Sequence, residues 1–294
     1  MSSSRADTAM TTMTQLSKYN ITVDEDIALP EPLADFVQTL KQGRDEEPSP
    51  HAQAIINTWK AASMANEFTG QKMLDEHILF RGEAFGGTKG LTLKDKVNLV
   101  KDYLPDPPNA ILPELRGSFS RPQPDSCIGY ITAAEANTYA PPSAPAFTAR
   151  EDEIARLADT HFPFLTAQWK AVRSGENQFN ASLQAARDGA LIVNYMHNLY
   201  STAYPDRAPT QLETCHFSLT IDGCTIILWI HWREIKDGEV YFRMEVVDMA
   251  RMRKLDDLLE VRKILHNYVD YALGERLRSI KGALPAFYLN RPRR

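Results

Sequence analysis

An Asp-Gly dipeptide between two apolar runs constrains the fold of this chain more than any other feature of its sequence. Asp222-Gly223 separates residues 214–221 from residues 224–233, and this arrangement favours a two-residue turn in a β-hairpin. The turn predicts that Thr220 pairs with Thr225, Ser218 with Ile227 and His216 with Trp229. A second turn at Lys236-Asp237-Gly238 leads into a third strand over residues 239–247, so the sequence predicts an antiparallel meander.

A further strand is predicted where residues 164–169 form a short apolar run. Alternate side chains of a strand share a face, so Thr166, Gln168 and Lys170 project from one side. Burying an amide and an ammonium without partners is costly, and this polar pair therefore needs an explanation. Either the strand ends at the rim of the sheet and Lys170 reaches water, or Gln168 and Lys170 belong to a functional site.

Helical periodicity accounts for much of the remaining chain. The spacing of apolar residues predicts helices over residues 30–41, 51–80, 92–103, 150–158, 179–200 and 256–282. Gly70 is a candidate interruption of the second helix, and Thr92 is a candidate cap of the third. The basic residues of the last helix are interpreted as a solvated face: Arg262, Lys263, Arg276, Arg278 and Lys281. Helices and strands together predict an α/β (α+β) fold.

Composition excludes several classes of protein. The formal net charge of −5 and the isoelectric point near 5.8 argue against an overall basic nucleic-acid binder, although they allow a local basic cleft. Cys127, Cys215 and Cys224 form no CxxC pair, which is typical of buried thiols in a reducing compartment. No apolar run has membrane-spanning length and no secretory signal is visible, so we expect an intracellular protein, cytoplasmic or nuclear, with no membrane partner.

Four parts of the chain are expected from these patterns. They are a disordered tail over residues 1–20, a helix and linker over 21–50, one domain over 51–287, and a basic tail over 288–294. Residues 82–90 are glycine-rich but lack the Gly-Lys-Ser/Thr ending of a phosphate-binding loop, so they are interpreted as a turn. Loops are predicted at 141–145 and 173–177.

Three further residues are candidates for a site, and each has a plain structural interpretation. Asp125 follows Pro124 at the end of an irregular extended segment, where a Pro-Asp pair commonly marks a turn. Glu67 lies in a predicted helix, where glutamate is usually solvated. Gln184 lies beside the apolar stripe of the 179–200 helix. His216 and His231 have no metal-ligand spacing and are interpreted as structural.

In order along the chain, these residues resemble the PD-(D/E)xK nuclease-like superfamily. In that superfamily a strand aspartate and a Glu/Asp-x-Lys strand meet at one edge of a mixed sheet, and a helical glutamate and glutamine often join them. Residues 162–170, 184–190 and 214–218, with the meander and the closing helix, are similar to a group of largely uncharacterised fungal proteins assigned that core. The resemblance covers roughly residues 65–287 and implies a restriction-endonuclease-like core with a central mixed sheet flanked by helices.

The resemblance implies a catalytic set of Asp125, Gln168, Lys170, Glu67 and Gln184. Asp125, Glu67 and Gln168 would hold Mg²⁺, with Mn²⁺ as a substitute, and Lys170 would orient or deprotonate the attacking water. Gln184 would orient a neighbour or the substrate. Position 168 is glutamine where the superfamily pattern has Glu or Asp. The loss of one charge-assisted contact weakens metal binding by roughly 1.5–3 kcal/mol.

Three functions are open at this point, and the glutamine at position 168 favours the first. The first is a nuclease-like protein with a degenerate metal site, which binds DNA, RNA or a protein partner with weak or no cleavage. The second is an active Mg²⁺-dependent DNA or RNA endonuclease. The third is a non-enzymatic interaction module in which Gln168 and Lys170 are rim residues.

Overall fold

The computed structural model describes residues 3–44, 51–80, 91–108, 111, 119–137, 146–147, 160–171 and 175–291. The predicted linker at 46–50, the glycine-rich turn at 82–90, the loop at 141–145 and the helix at 150–158 lie outside these residues. So do residues 173–174 of the predicted turn at 173–177 and the last three residues of the basic tail.

One six-stranded sheet forms the centre of the described structure. Its strands are β1 (Leu91–Asp95), β2 (Ser126–Tyr130), β3 (His161–Trp169), β4 (His216–Ile221), β5 (Thr225–Lys236) and β6 (Glu239–Arg251). They lie in sequence order; β3 and β4 are parallel, and every other neighbouring pair is antiparallel. The predicted α/β class, with a mixed sheet that contains a meander, is confirmed at this level.

Helices flank the sheet. They are α1 (Ser3–Ser17), α2 (Glu31–Leu40), α3 (His51–Met64), α4 (Glu67–Ile78), α5 (Ala133–Ala136), α6 (Gln178–Ala203), α7 (Gln211–Thr214), α8 (Leu255–Tyr271) and α9 (Leu277–Asn290). The long helix α6 crosses β3, β4 and β5, and α8 packs against α3 and β6. No helix in the described ranges combines the length and the apolar character needed to cross a membrane.

The helix predicted from Thr92 is wrong. The backbone of residues 91–95 forms β1, paired with β2, and only a 3₁₀ turn at Lys101–Tyr103 is helical. Thr92 does not cap a helix, because its hydroxyl donates to Oε1 of Glu135 at 2.6 Å. Pairing with a strand more than thirty residues away overrides the local preference here.

The break between the two helices of residues 51–80 lies before Gly70. Helix α3 ends at Met64, and Asn66 caps α4 by accepting from the backbone N–H of Thr69 at 2.9 Å. Gly70 lies inside α4, where a Cβ would come within 2.7 Å of the Ala62 carbonyl oxygen. Glycine therefore permits the close approach of α3 and α4 that sets the position of Glu67.

The hairpin at Asp222-Gly223 is present, but its predicted register is wrong by two residues. Thr220 pairs with Ile227, and the corresponding pairs are Ser218 with Trp229 and His216 with His231. Oδ1 of Asp222 accepts from the backbone N–H groups of Cys224 and Thr225, both at 2.8 Å, which makes a wider turn than a two-residue hairpin. A shift of two residues leaves each side chain on its predicted face.

The predicted disorder of residues 1–20 is wrong for the described part. Residues 3–17 form α1, and Leu16 is buried against α6 and β6. Beyond α1, Ile21 forms a parallel bridge with Phe242 of β6. The N-terminal segment thus covers part of an edge strand, which is where unpaired backbone groups are most exposed.

The closing helix is longer and less regular than predicted. A π-helical segment at Ala272–Arg276 joins α8 to α9, and α9 continues to Asn290, within the predicted basic tail. Arg262 and Arg276 are buried, so the interpretation of a fully solvated basic face is wrong. Arg276 donates to the carbonyl oxygens of Phe162 and Pro163, both at 3.3 Å, and thereby fixes the start of β3.

The predicted structural role of the two histidines fits the described contacts. The Nε2 atom of His216 lies 2.9 Å from the Thr166 hydroxyl, and that of His231 lies 2.7 Å from the Ser218 hydroxyl. Burial lowers the pKa of His231 to about 3 and holds the pKa of His216 well below its ordinary value. Cys127 and Cys215 are buried as expected, whereas Cys224 is exposed.

Candidate functional site

Asp125 lies where the irregular segment ends and β2 begins. Its Oδ2 accepts from the backbone N–H of Trp169 at 3.0 Å, so the carboxylate reaches across to the end of β3. Its carbonyl oxygen accepts from the backbone N–H of Lys96 at 3.0 Å and from Nε2 of Gln71 at 3.2 Å. Contacts from β3, α4 and the residue after β1 therefore hold Asp125 in place.

Lys170 directly follows β3, and its ammonium is not a solvated rim group. Its side chain is only 6% exposed, and Nζ lies 3.0 Å from Oε2 of Glu176. Its backbone N–H donates to the Ile221 carbonyl oxygen at 2.8 Å, which continues the pairing of β3 with β4. The alternative in which Lys170 simply reaches water does not describe this structure.

Glu67 is the first residue of α4, and its carboxylate accepts from the backbone N–H of Ala171. It interacts electrostatically with Lys170, Asp125 and Glu176. The structure therefore brings together three of the five residues in the predicted set, Glu67, Asp125 and Lys170. They come from three elements that are far apart in the sequence.

Burial dominates the electrostatics of the two carboxylates. It raises the pKa of Glu67, against the opposing effect of Lys170. It also raises the pKa of Asp125, where the Trp169 N–H and Lys170 act in the opposite direction. Asp125 and Glu176 further raise the pKa of Glu67, and Asp188 further raises the pKa of Asp125. A cation bound near these carboxylates would relieve the repulsion.

Gln168 lies on the same face of β3 as Lys170, but its amide group faces α6. Nε2 donates to Oδ2 of Asp188 at 2.6 Å and to the Gln123 carbonyl oxygen at 3.3 Å. Both partners are acceptors, so the amide nitrogen must point toward them and both its hydrogens are used. The carbonyl oxygen is the one atom of this side chain that remains for a ligand.

Asp188 is the residue that sequence reasoning missed at this position. It is fully buried on α6, and Oδ1 accepts from Nε and Nη2 of Arg187 at 3.2 and 3.1 Å. Arg187 also donates to the Ser120 hydroxyl at 2.6 Å. Glu176 was missed as well, because nothing in the turn before α6 signals that its carboxylate reaches Lys170.

Gln184 lies on α6 one turn before Asp188, and its side chain is partly exposed. Its Oε1 atom is buried and has no hydrogen-bond partner in the described part of the chain. No described contact joins it to Asp125, Glu67 or Lys170, so its predicted orienting role stays a prediction.

The donor set fits a magnesium ion of low protein coordination. Glu67 and Asp125 offer two carboxylates and Gln168 offers a neutral oxygen, and Mg²⁺ commonly uses one or two carboxylates and several waters. No cluster of three or more His, Cys, Asp or Glu side chains suited to a metal occurs among the described residues.

A recess opens beside these groups. Its lining includes Trp59, Glu67, Trp169, Lys170, Gly223 and Met252. One wall therefore carries Glu67 and Lys170, and the other is formed by α3 and by the turns that flank β5 and β6. The recess has a volume of about 20 Å³, which is room for a water molecule or an ion.

Comparison with known proteins gives one family. The model of a family described as a domain of unknown function, DUF7924, matches residues 52–284. No curated protein matches the chain.

Proposed function

The chain belongs to the DUF7924 family, and we propose that it is a PD-(D/E)xK nuclease-like protein that binds nucleic acid with weak or no cleavage. The observation that carries this proposal is the proximity of Asp125, Glu67 and Lys170, of which Glu67 and Lys170 line one recess. Two carboxylates from separate elements can hold a divalent cation for phosphodiester cleavage, and a nearby ammonium can orient the attacking water or the phosphate.

The arrangement of elements also supports a restriction-endonuclease-like core. Asp125 and Lys170 lie at the same end of the antiparallel neighbours β2 and β3. Helix α4 brings Glu67 to that end, and α6 follows β3 and crosses the sheet. This is the arrangement that the resemblance to the PD-(D/E)xK superfamily implies.

Asp125 and Glu67 would hold Mg²⁺ or Mn²⁺, with the Gln168 carbonyl oxygen as a neutral third donor. A bound ion would polarise the phosphate and activate a water molecule. Lys170 would orient that water or the phosphate once its ammonium separates from Glu176. Ala171 and Trp169 contribute backbone N–H groups that hold the two carboxylates in their places.

Three features support weak rather than efficient cleavage. Gln168 adds no negative charge, and its amide is held by Asp188. The carboxylate of Glu176 pairs with the Lys170 ammonium, which is therefore not free to orient a water molecule or a phosphate. Burial raises the pKa of both Asp125 and Glu67, which favours the protonated forms that bind metal poorly.

An active Mg²⁺-dependent endonuclease is the second candidate. It is favoured by the two carboxylates, because Mg²⁺ in phosphoryl-transfer sites needs no more from the protein. A non-enzymatic interaction module is less well supported, since Lys170 is buried and paired rather than solvated.

Calorimetry with Mg²⁺ and Mn²⁺ on the native chain and on Asp125→Asn tests the proposal. We expect measurable binding that is lost in Asp125→Asn and retained in the control Asp237→Asn, which lies in the exposed β5–β6 turn. Cleavage of labelled DNA and RNA separates the two candidates, because the endonuclease would degrade them with either ion. Equal metal binding by the native chain and Asp125→Asn would refute the metal site.

A further inference from the structure

A stacked pair of side chains lies at the edge of the recess. The guanidinium of Arg253 lies 4.0 Å from the centre of the Trp59 ring. The indole is itself fixed, because Nε1 of Trp59 donates to the Gly223 carbonyl oxygen at 2.6 Å. An arginine held flat against a fixed ring keeps its outer N–H groups available to an anion and loses little freedom on binding one.

The backbone around Arg253 is equally well held. Met252 is buried, and its N–H donates to the Cys224 carbonyl oxygen at 2.9 Å. Lys254 closes the turn through a bond from its N–H to the Arg251 carbonyl oxygen at 2.9 Å. The buried Met252 side chain and these two hydrogen bonds therefore hold the backbone of the turn after β6, which carries exposed cations.

The charges of this turn are only partly compensated. Arg251 pairs with Asp257 at 2.6 Å, and Lys254 also acts on the Asp257 carboxylate. No ion pair involves Arg253 within the described ranges. Asp222 lines the recess, but its Oδ1 is engaged with the backbone of its own turn. Lys60, next to Trp59 on α3, is exposed as well.

We propose that Trp59, Lys60, Arg253 and Lys254 form a surface that contacts the phosphate backbone of nucleic acid. We call it the Arg–Trp surface. Trp59 and Met252 line the same recess as Glu67 and Lys170, so one strand that crosses the recess would meet both the Arg–Trp surface and the candidate site. The inference rests on the proposed function for its choice of partner, and it explains how a chain of net charge −5 would hold a polyanion.

Fluorescence anisotropy of labelled single-stranded and duplex DNA, measured with a chelator over a salt series, tests this surface. In Arg253→Ala we expect binding to weaken by roughly tenfold and the slope of log K against log salt to fall by about one. Arg253→Lys should keep the slope but bind more weakly, because it keeps the charge and loses the planar stack. The two forms of DNA distinguish which phosphate backbone is preferred.

Lys236→Ala is the matched control. Lys236 is an exposed cation on the same strand pair, at the far end of β5 from Thr225 and Arg251, roughly 35 Å away at the usual rise per residue. We expect it to bind as the native chain does. An equal loss in Lys236→Ala, or an unchanged slope in Arg253→Ala, would overturn the surface.

Competition by polyglutamate tests an acidic protein as the partner, and displacement of DNA at equal charge concentration would also overturn the proposal. Failure of the proposed function gives a different result. If the native chain binds no DNA, the proposed function fails. If it binds DNA while Arg253→Ala has no effect, only the Arg–Trp surface fails.

Discussion

The amide nitrogen of Gln168 lies 2.6 Å from Oδ2 of Asp188, and both residues are buried. The strand position where the PD-(D/E)xK pattern has an acid is thus neutral, and a buried acid on α6 faces it. The two positions are chemically coupled: an acceptor at 188 requires a donor at 168. The glutamine is therefore explained by its neighbour as well as by any loss of activity.

Gln168→Glu should destabilise the protein rather than restore a complete metal site. It would place two carboxylates at hydrogen-bond distance in a buried position, and we expect the free energy of unfolding to fall by roughly 3 kcal/mol at neutral pH. The penalty should shrink in acid, where the pair shares a proton. Urea unfolding at two pH values measures both effects.

The double variant Gln168→Glu with Asp188→Asn supplies the control for that prediction. It exchanges donor and acceptor, so we expect it to recover most of the lost stability and to bind Mn²⁺ more tightly than the native chain. If the loss of unfolding free energy in the double variant equals the sum of the losses in Gln168→Glu and Asp188→Asn, positions 168 and 188 are not coupled.

The raised pKa values of Asp125 and Glu67 predict a pH dependence of stability. Burial raises both, so the folded chain keeps these protons to higher pH than the unfolded chain, whose ordinary values are near 3.8 and 4.5. The free energy of unfolding should therefore fall as pH rises from these ordinary values through the raised ones, and then level off.

Urea unfolding of the native chain and Asp125→Asn over this pH range checks the sign. Asp125→Asn should remove part of the decline, whereas Asp237→Asn should leave it unchanged. A stability that rises over the same window in the native chain would contradict the effect of burial on these two groups. Metal affinity should increase over this window as the carboxylates lose their protons.

Local periodicity was enough to predict α2, α6 and the meander, because each carries a long and regular apolar pattern. It failed at β1, which has five residues and depends on pairing with β2. It also failed at Arg276, because a basic residue on a helix signals solvent unless the carbonyl groups that it meets are known.

The candidate site was also predictable only in part, because some of its contacts depend on residues that are distant in the sequence. The i, i+2 spacing placed Gln168 and Lys170 on one face, and the resemblance to the PD-(D/E)xK superfamily added Asp125 and Glu67. Asp188 and Glu176 carry no local signal. Their roles depend on how α6 lies across β3, which is set by tertiary packing.

Glu176 is expected to restrain Lys170. Nζ of Lys170 lies 3.0 Å from Oε2 of Glu176; Lys170 is buried, whereas Glu176 is partly exposed, so solvent screens the contact from the glutamate side. Glu176→Gln should release the ammonium and remove a negative charge, and should raise the affinity for an oligonucleotide roughly two- to fivefold. Anisotropy titration measures this change.

Glu239→Gln is the control for this prediction, because Glu239 is exposed at the far turn between β5 and β6. It should leave the affinity unchanged. Equal gains in affinity in both variants would indicate a general effect of net charge.

Gly70→Ala tests whether the contact of α3 with α4 positions Glu67. The new Cβ would lie 2.7 Å from the Ala62 carbonyl oxygen, so the helices must separate. We expect a loss of about 1–3 kcal/mol in the free energy of unfolding and weaker metal binding, because Glu67 lies one turn away.

Gly282→Ala is the matched control for that test. Gly282 is an exposed glycine in α9 with nothing within 4 Å of an added Cβ. Because alanine is the better helix former, this variant should gain about 0.5–1 kcal/mol in the free energy of unfolding.

Thermal unfolding measures the stability of both variants, and calorimetry measures their metal binding. If Gly70→Ala gains stability as Gly282→Ala does, the close approach at Ala62 does not constrain α4. If it loses stability but binds metal as the native chain does, Glu67 takes no part in the site.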